Sequence, residues 1–254
     1  MANRIGSVTT LAEYVVGTTS TFSGLAVPAG LNRCVAVLVA TSNPALGAVD
    51  VVPGATCDTV AMEALAADYP VASGVAQTKL FGLAVADGDS AVDIVVTFAG
   101  ASCARVIFVI FLENVDPADL ADAVTSATNG GGSAIATVTV AEDDTANGYV
   151  LAWCHWRNAT ALTCASTGEG TEIGNLTIDQ GGSTNYDTGL AAVESTGDAS
   201  VIPQWTASGT ITMEARGLRF NHLLGSGGGG GGSNPAGIGS VLTKSKLAGE
   251  LRTA

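Results

Sequence analysis

The chain has 254 residues, 47% of them apolar and 13% charged, with a formal net charge of −13. That is enough apolar material for one large core or two small ones, and too little positive charge for a protein that grips phosphate backbones or an anionic membrane surface. Aromatic residues make up only 5%, so the core has to be built from Val, Ala, Leu and Ile.

Residues 1–17 read as a leader, in which Leu11–Val16 forms either a helical turn or a first edge strand. Residues 20–27 alternate imperfectly and stop at Pro28. Arg33–Thr41 is a strong apolar strand. Ala48–Gly54 and Cys57–Met62 read as two strands around a Pro53-Gly54 turn. Gln77–Val85 is a further strand. In Ala91–Phe98 the residues Val92, Ile94, Val96 and Phe98 share one face, as the period of two requires.

Cys103–Leu112 is almost continuously apolar from Val106 onward. It is too short for a membrane helix, which needs about 20 apolar residues. Its β-branched and aromatic content marks a strand covered on both faces.

Pro117–Ala123 could form a helical turn, with proline in the first turn and Asp119 and Asp122 nearby. Gly130–Gly132 breaks the chain, and two halves could meet there. Beyond it Ala134–Val140, Tyr149–Trp156, Thr171–Ile178, Tyr186–Val193, Ser208–Ala215 and Leu218–Leu224 repeat the rhythm of strand and turn. The expected fold is all-β: an antiparallel β-sandwich or jelly roll over 18–224.

Gly225–Ser233 holds seven glycines and two serines. Such a tether has a root-mean-square span of roughly 15–18 Å. Residues 234–254 are a different kind of sequence, with Val241, Leu242, Leu247 and Leu251 interleaved with Lys244, Lys246 and Arg252. Against the single acid Glu250 these bases give the tail +2, so the rest of the chain carries −15 of the total −13. The segment reads as a docking arm, a short helix or an added strand on another subunit, and those seven residues are the expected partner contacts.

Candidate chemistry is thin. Cys154 and His155 are adjacent and Cys164 is near, but successive strand residues point to opposite faces, and zinc wants four ligands. Histidines number two, which leaves little for a nucleophile–base pair, and no Gly-x-Ser-x-Gly turn is present. The acids Asp116, Asp119 and Asp122, and then Glu142–Asp144, lack the spacing of a calcium loop. Trp153, Trp156 and Trp205 are the residues a carbohydrate-binding module would use. The expectation is therefore a chain without catalytic, metal or cofactor residues. The five cysteines, Cys34, Cys57, Cys103, Cys154 and Cys164, form no compact framework, and only Cys154 and Cys164 could be neighbours across a hairpin. Met1–Arg4 leads into polar residues and no apolar signal core, so synthesis and folding in a reducing cytoplasm are expected.

Leu31–Thr41, Val49–Met62, Thr78–Gly100, Val106–Leu112 and Glu113–Pro117, in that order and spacing, resemble β-sandwich modules of tailed-phage virion proteins. The likeness covers about residues 31–117 and excludes the arm. Paired glycines in the hairpin and a Trp-Tyr in the third strand, usual in those modules, are absent here, and no functional residue carries over. The resemblance implies a non-enzymatic virion subunit made in the host cytoplasm, a capsid decoration or a head- or neck-associated protein. Its partners would be capsid, neck or tail subunits and further copies of itself, with neither nucleic acid nor membrane. The alternative is a carbohydrate-binding or host-adhesion module of a tail or surface structure.

Overall fold

In a computed structural model, the described residues are 1–42, 52–71, 76–99, 102–122, 125–128, 134–141, 148–158, 164–178, 187–196, 200–209 and 213–223. The chain divides into two units, Met1–Leu224 and Gly225–Ala254. The tether, and with it Val241, Leu242, Lys244, Lys246, Leu247, Leu251 and Arg252 of the arm, lies outside the described residues.

The first half contains β1 (Asn3–Val16), β2 (Thr19–Ala26), β3 (Arg33–Ser42), β4 (Gly54–Cys57), β5 (Val60–Ala61), β6 (Glu63–Val71), β7 (Ala76–Val85), β8 (Ala91–Thr97) and β9 (Ser102–Glu113). They form two antiparallel sheets, β1-β9-β3-β7-β6 and β2-β8-β4-β5. Chain-adjacent strands such as β1 and β2, or β8 and β9, fall in different sheets, which is the jelly-roll arrangement. The segment read as a leader is β1, an edge strand paired with β9 along its length.

Alternation explains the packing. In β8 the buried residues Val92, Ile94 and Val96 face inward while Asp93 and Thr97 stay exposed. They meet Val35, Val37 and Val39 of β3 and Ile107, Val109 and Phe111 of β9.

The hairpin between β4 and β5 turns at Asp58-Thr59 and not at Pro53-Gly54. Both turn residues have positive φ, 46° and 70°. A two-residue hairpin needs that conformation so that its twist matches the strands. Asp58 is held there by reciprocal bonds with Asp93, whose N–H donates to Asp58 Oδ1 at 2.7 Å while its carbonyl accepts from the Asp58 N–H at 2.9 Å.

The second half contains β10 (Thr125–Thr128), β11 (Ile135–Thr137), β12 (Val140–Ala141), β13 (Tyr149–Asn158), β14 (Cys164–Ser166), β15 (Thr171–Ile178), β16 (Asp187–Thr196), β17 (Ser200–Val201), β18 (Gln204–Ala207) and β19 (Met213–Phe220). Its large sheet is β10-β19-β13-β16-β15 and its small one β11-β18-β14, with a separate β12-β17 pair. The order repeats that of the first half strand for strand: β10 stands where β1 stands, β19 where β9 stands, and β13, β16 and β15 where β3, β7 and β6 stand. The described chain is thus two jelly rolls in tandem. Gly130–Gly132 is outside the described residues, and β10 already belongs to the second sheet at Thr125.

Between the halves Pro117–Ala121 runs as a turn and a short bridge, with no helix. Asp116 Oδ1 accepts the Ala118 N–H at 2.9 Å as a helix cap would, but the backbone further on is taken by the end of β19: the Leu120 carbonyl accepts the Asn221 N–H at 3.0 Å and the Asp122 N–H donates to the Arg219 carbonyl at 2.9 Å.

The two large sheets pack face to face. Leu38, Phe108, Ile110 and Leu112 from one meet Tyr149, Leu151, Trp153, Leu190 and Phe220 from the other in a single buried cluster. They meet in opposite strand order, with β1 against β15, β3 against β16 and β6 against β13. Each large sheet is therefore sandwiched between a small sheet and its counterpart, and every residue of β3 and of β19 is buried. That is why these strands lack alternation. Phe108 on β9 packs tightly against Gly174 of β15, where an added Cβ would sit 2.7 Å from its Cζ.

Candidate functional site

The tryptophans, Cys154 and His155 are core. Trp153 faces the cluster between the large sheets, while Trp156 and Trp205 lie in the cluster under the small sheet of the second half. All three are buried, at 0%, 1% and 0% exposure. None offers a ring to stack on a sugar. Cys154 packs in the same cluster as Trp156. His155 points the other way, opposite Glu214 in the register of β13 and β19, so the two neighbours cannot ligate one ion. Cys164 sits on β14, which pairs with β18, while β13 pairs with β16 and β19; Cys154 and Cys164 do not face each other across a hairpin. Asp116 serves the turn at Ala118, and Asp122 lies close enough to Arg219 to counter part of the loss of charge stability that its burial causes. Glu142–Asp144 is outside the described residues.

A polar cleft with a volume of about 520 Å³ opens where β1 of the first half crosses the ends of β13, β15 and β16 of the second. Arg4 makes a bidentate pair there with Glu194: Nε donates to Oε2 at 2.6 Å and Nη2 to Oε1 at 2.8 Å. Tyr149 OH donates to the same Oε2 at 2.9 Å, and Arg4 Nη1 donates to the Gly6 carbonyl at 2.5 Å. The Glu194 hydrogen bond raises the Arg4 pKa, with burial opposing it. Burial, and then the Glu194 charge, push the Tyr149 phenol well above its ordinary range. Both groups thus hold their protons, and both carboxylate oxygens are occupied. The arrangement is a lock between the two jelly rolls.

The corresponding place on the other side of the tandem repeat, at the start of β6, the end of β7 and the segment before β10, is a smaller cleft of about 240 Å³. Here Leu65 and Leu120 close over Gly82, whose absent Cβ would meet Leu65 Cδ1 at 2.5 Å. One junction is sealed by apolar side chains and the other by an ion pair.

Other buried charges are likewise spent on the chain itself. Arg33 donates to the carbonyls of Pro28, Ala86 and Asp89, tying two loops together. Arg105 donates to the carbonyls of Gly17 and Thr19 and to Ser20 Oγ, and stacks 4.0 Å from the centre of the Phe98 ring. Lys79 Nζ reaches the Val52 carbonyl at 3.0 Å. Glu214 accepts two bonds from Arg216 Nε and Nη2 at 2.8 and 2.6 Å; burial raises its pKa, and Arg216 works against that rise. A lone arginine in an apolar run, as at Arg105 in Cys103–Leu112, is the sequence signal for such a tie. Nothing in the sequence links Arg4 to Glu194, 190 residues apart.

No family model, no curated protein and no solved structure matches this chain.

Proposed function

We propose that this chain is a non-enzymatic structural protein of a tailed-phage virion, a capsid-decoration or head- or neck-associated subunit anchored by its C-terminal arm. The observation that carries this reading is a tandem jelly-roll body whose described buried charges tie its own loops and halves together, followed in sequence by a glycine tether and a segment of leucines and bases. The pattern likeness over residues 31–117 supports the same reading. A segment spaced like 241–252 gains by burying Leu242, Leu247 and Leu251 on another subunit and setting Lys244, Lys246 and Arg252 against acidic groups. The strongly acidic body repels its own copies and so disfavours aggregation. A carbohydrate-binding role would draw on Trp153, Trp156 and Trp205, and their burial removes its main support.

The test is sedimentation with assembled particles. The full chain should pellet with virions from its own infection lysate. A chain ending at residue 233 should stay in the supernatant while keeping its melting temperature. Recovery of the full chain only in the particle-free fraction overturns the proposal.

A further inference from the structure

Among the described residues, the edge strands longer than four residues are β1, β2, β6 and β15. Each has a break in its register. It falls between Phe22 and Leu25 in β2, twice between Ala64 and Tyr69 in β6, and between Glu172 and Gly174 in β15, so no unbroken run in these three exceeds five residues. Interior pairs, β3 with β7 and β9, and β13 with β16 and β19, run without a break. Breaks of this kind twist an edge and blunt it against strand addition. The other edge strands, β5, β10, β11 and β14, have at most four residues.

β1 is the exception. Its break lies between Ile5 and Thr9, and from Thr9 to Val16 eight consecutive residues pair with β9 in one register. Among the described residues, the backbone groups of this run that point away from β9 have no hydrogen-bond partner. Thr10, Ala12 and Tyr14 share one face and are exposed, Tyr14 to 50%. On the other face Leu11 packs against the core between the two sheets of the first half. Glu13, the one charge in the run, accepts the Ser20 Oγ hydrogen at 2.7 Å and lies 3.9 Å from Arg105.

We infer that Thr9–Val16 is a self-association edge, to which the β1 of a second copy adds antiparallel about a two-fold axis, joining two five-stranded sheets into one. A two-fold brings the same run to both sides, so the open N–H and C=O groups of each copy meet those of the other. Copies of a chain carrying −13 repel one another, and this run brings no uncompensated charge to the contact. Main-chain bonds supply the affinity, and Tyr14 adds apolar area beside them.

The experiment is sedimentation equilibrium of the purified full chain, with amide hydrogen exchange read at low and high concentration. The chain should pass from monomer to dimer as concentration rises, and the amides of Thr9–Val16 that point away from β9 should exchange more slowly as it does. Ala12→Glu should weaken association about ten-fold, because it brings like charges together at one short contact. Thr10→Glu should act in the same direction. Thr21→Glu makes the same change of charge at an exposed site on β2 and should leave association unchanged. All three side chains are exposed, so melting temperatures of dilute samples should agree. A chain that stays monomeric at every concentration overturns the inference. So does a dimer that Ala12→Glu and Thr10→Glu leave equally tight, or an equal loss from Thr21→Glu. The virion reading does not depend on this edge and stands in each case.

Discussion

Among the described residues, Thr59 is a β-branched residue whose backbone fits its position poorly. Its φ of 70° places a β-branched side chain in the left-handed region, where such residues are outliers. The two-residue turn demands that conformation, and glycine is the residue that adopts it without steric cost. Thr59→Gly should therefore stabilise the fold by about 0.5–1 kcal/mol after the entropy of the unfolded chain is counted, read as a higher urea midpoint. At Cys34 the effect is one of solvation. Burial pushes its thiol from an ordinary 9.0 up to about 12. Burial also raises Cys57 to about 11, helped by Asp58, Asp89 and Asp93. The native state thus keeps protons that the unfolded chain releases above about 9, so this contribution is whole below that pH and is lost as pH rises through 11 to 12. Denaturation midpoints should hold steady up to pH 9 and fall beyond it, and Cys34→Ala should flatten the fall. Tyr149, with its raised pKa, acts in the same sense.

At the level of strands, β9 meets β15 through a glycine. Gly174 leaves the space that the Phe108 ring fills, with ring atoms at 2.7 and 2.9 Å from where a Cβ would stand. Gly174→Ala should cost about 1–3 kcal/mol by overpacking, measured as a drop in the urea midpoint. Adding Phe108→Leu should recover part of that loss, because neighbours that share one space are not additive. The buried faces of β3, β9, β13 and β19 follow from the same stacking. Each is covered on one side by a small sheet and on the other by the facing large sheet.

For the molecule as a whole, the shared cluster between the large sheets makes the two jelly rolls mutually dependent. Removing one would expose Leu38, Phe108, Ile110 and Leu112 of the other at once. The three tryptophans all lie in the second half, so their fluorescence reports that half while circular dichroism reports both. The two signals should change at the same denaturant concentration, as a single cooperative unit requires. Separate midpoints would mean that the halves unfold independently and that the facing cluster contributes little.

Strand content was legible from sequence because alternation and β-branched runs are local signals. Ala91–Phe98 announced its buried face, and Cys103–Leu112 announced that both of its faces were covered. The turn at Asp58-Thr59 was misplaced to Pro53-Gly54 because the native turn uses a threonine that propensity disfavours. The turn at Pro117 looked helical because proline and aspartate suit a first turn and an Asx turn alike. What covers the second face of Cys103–Leu112 was not in the local pattern. Neither was the tandem repeat of strand order, the ion pair of Arg4 with Glu194, nor the unbroken edge at Thr9–Val16. Those depend on contacts between residues far apart in the chain, and hydrophobic burial is non-directional: it says that a face must be covered and leaves the choice of cover to packing in three dimensions.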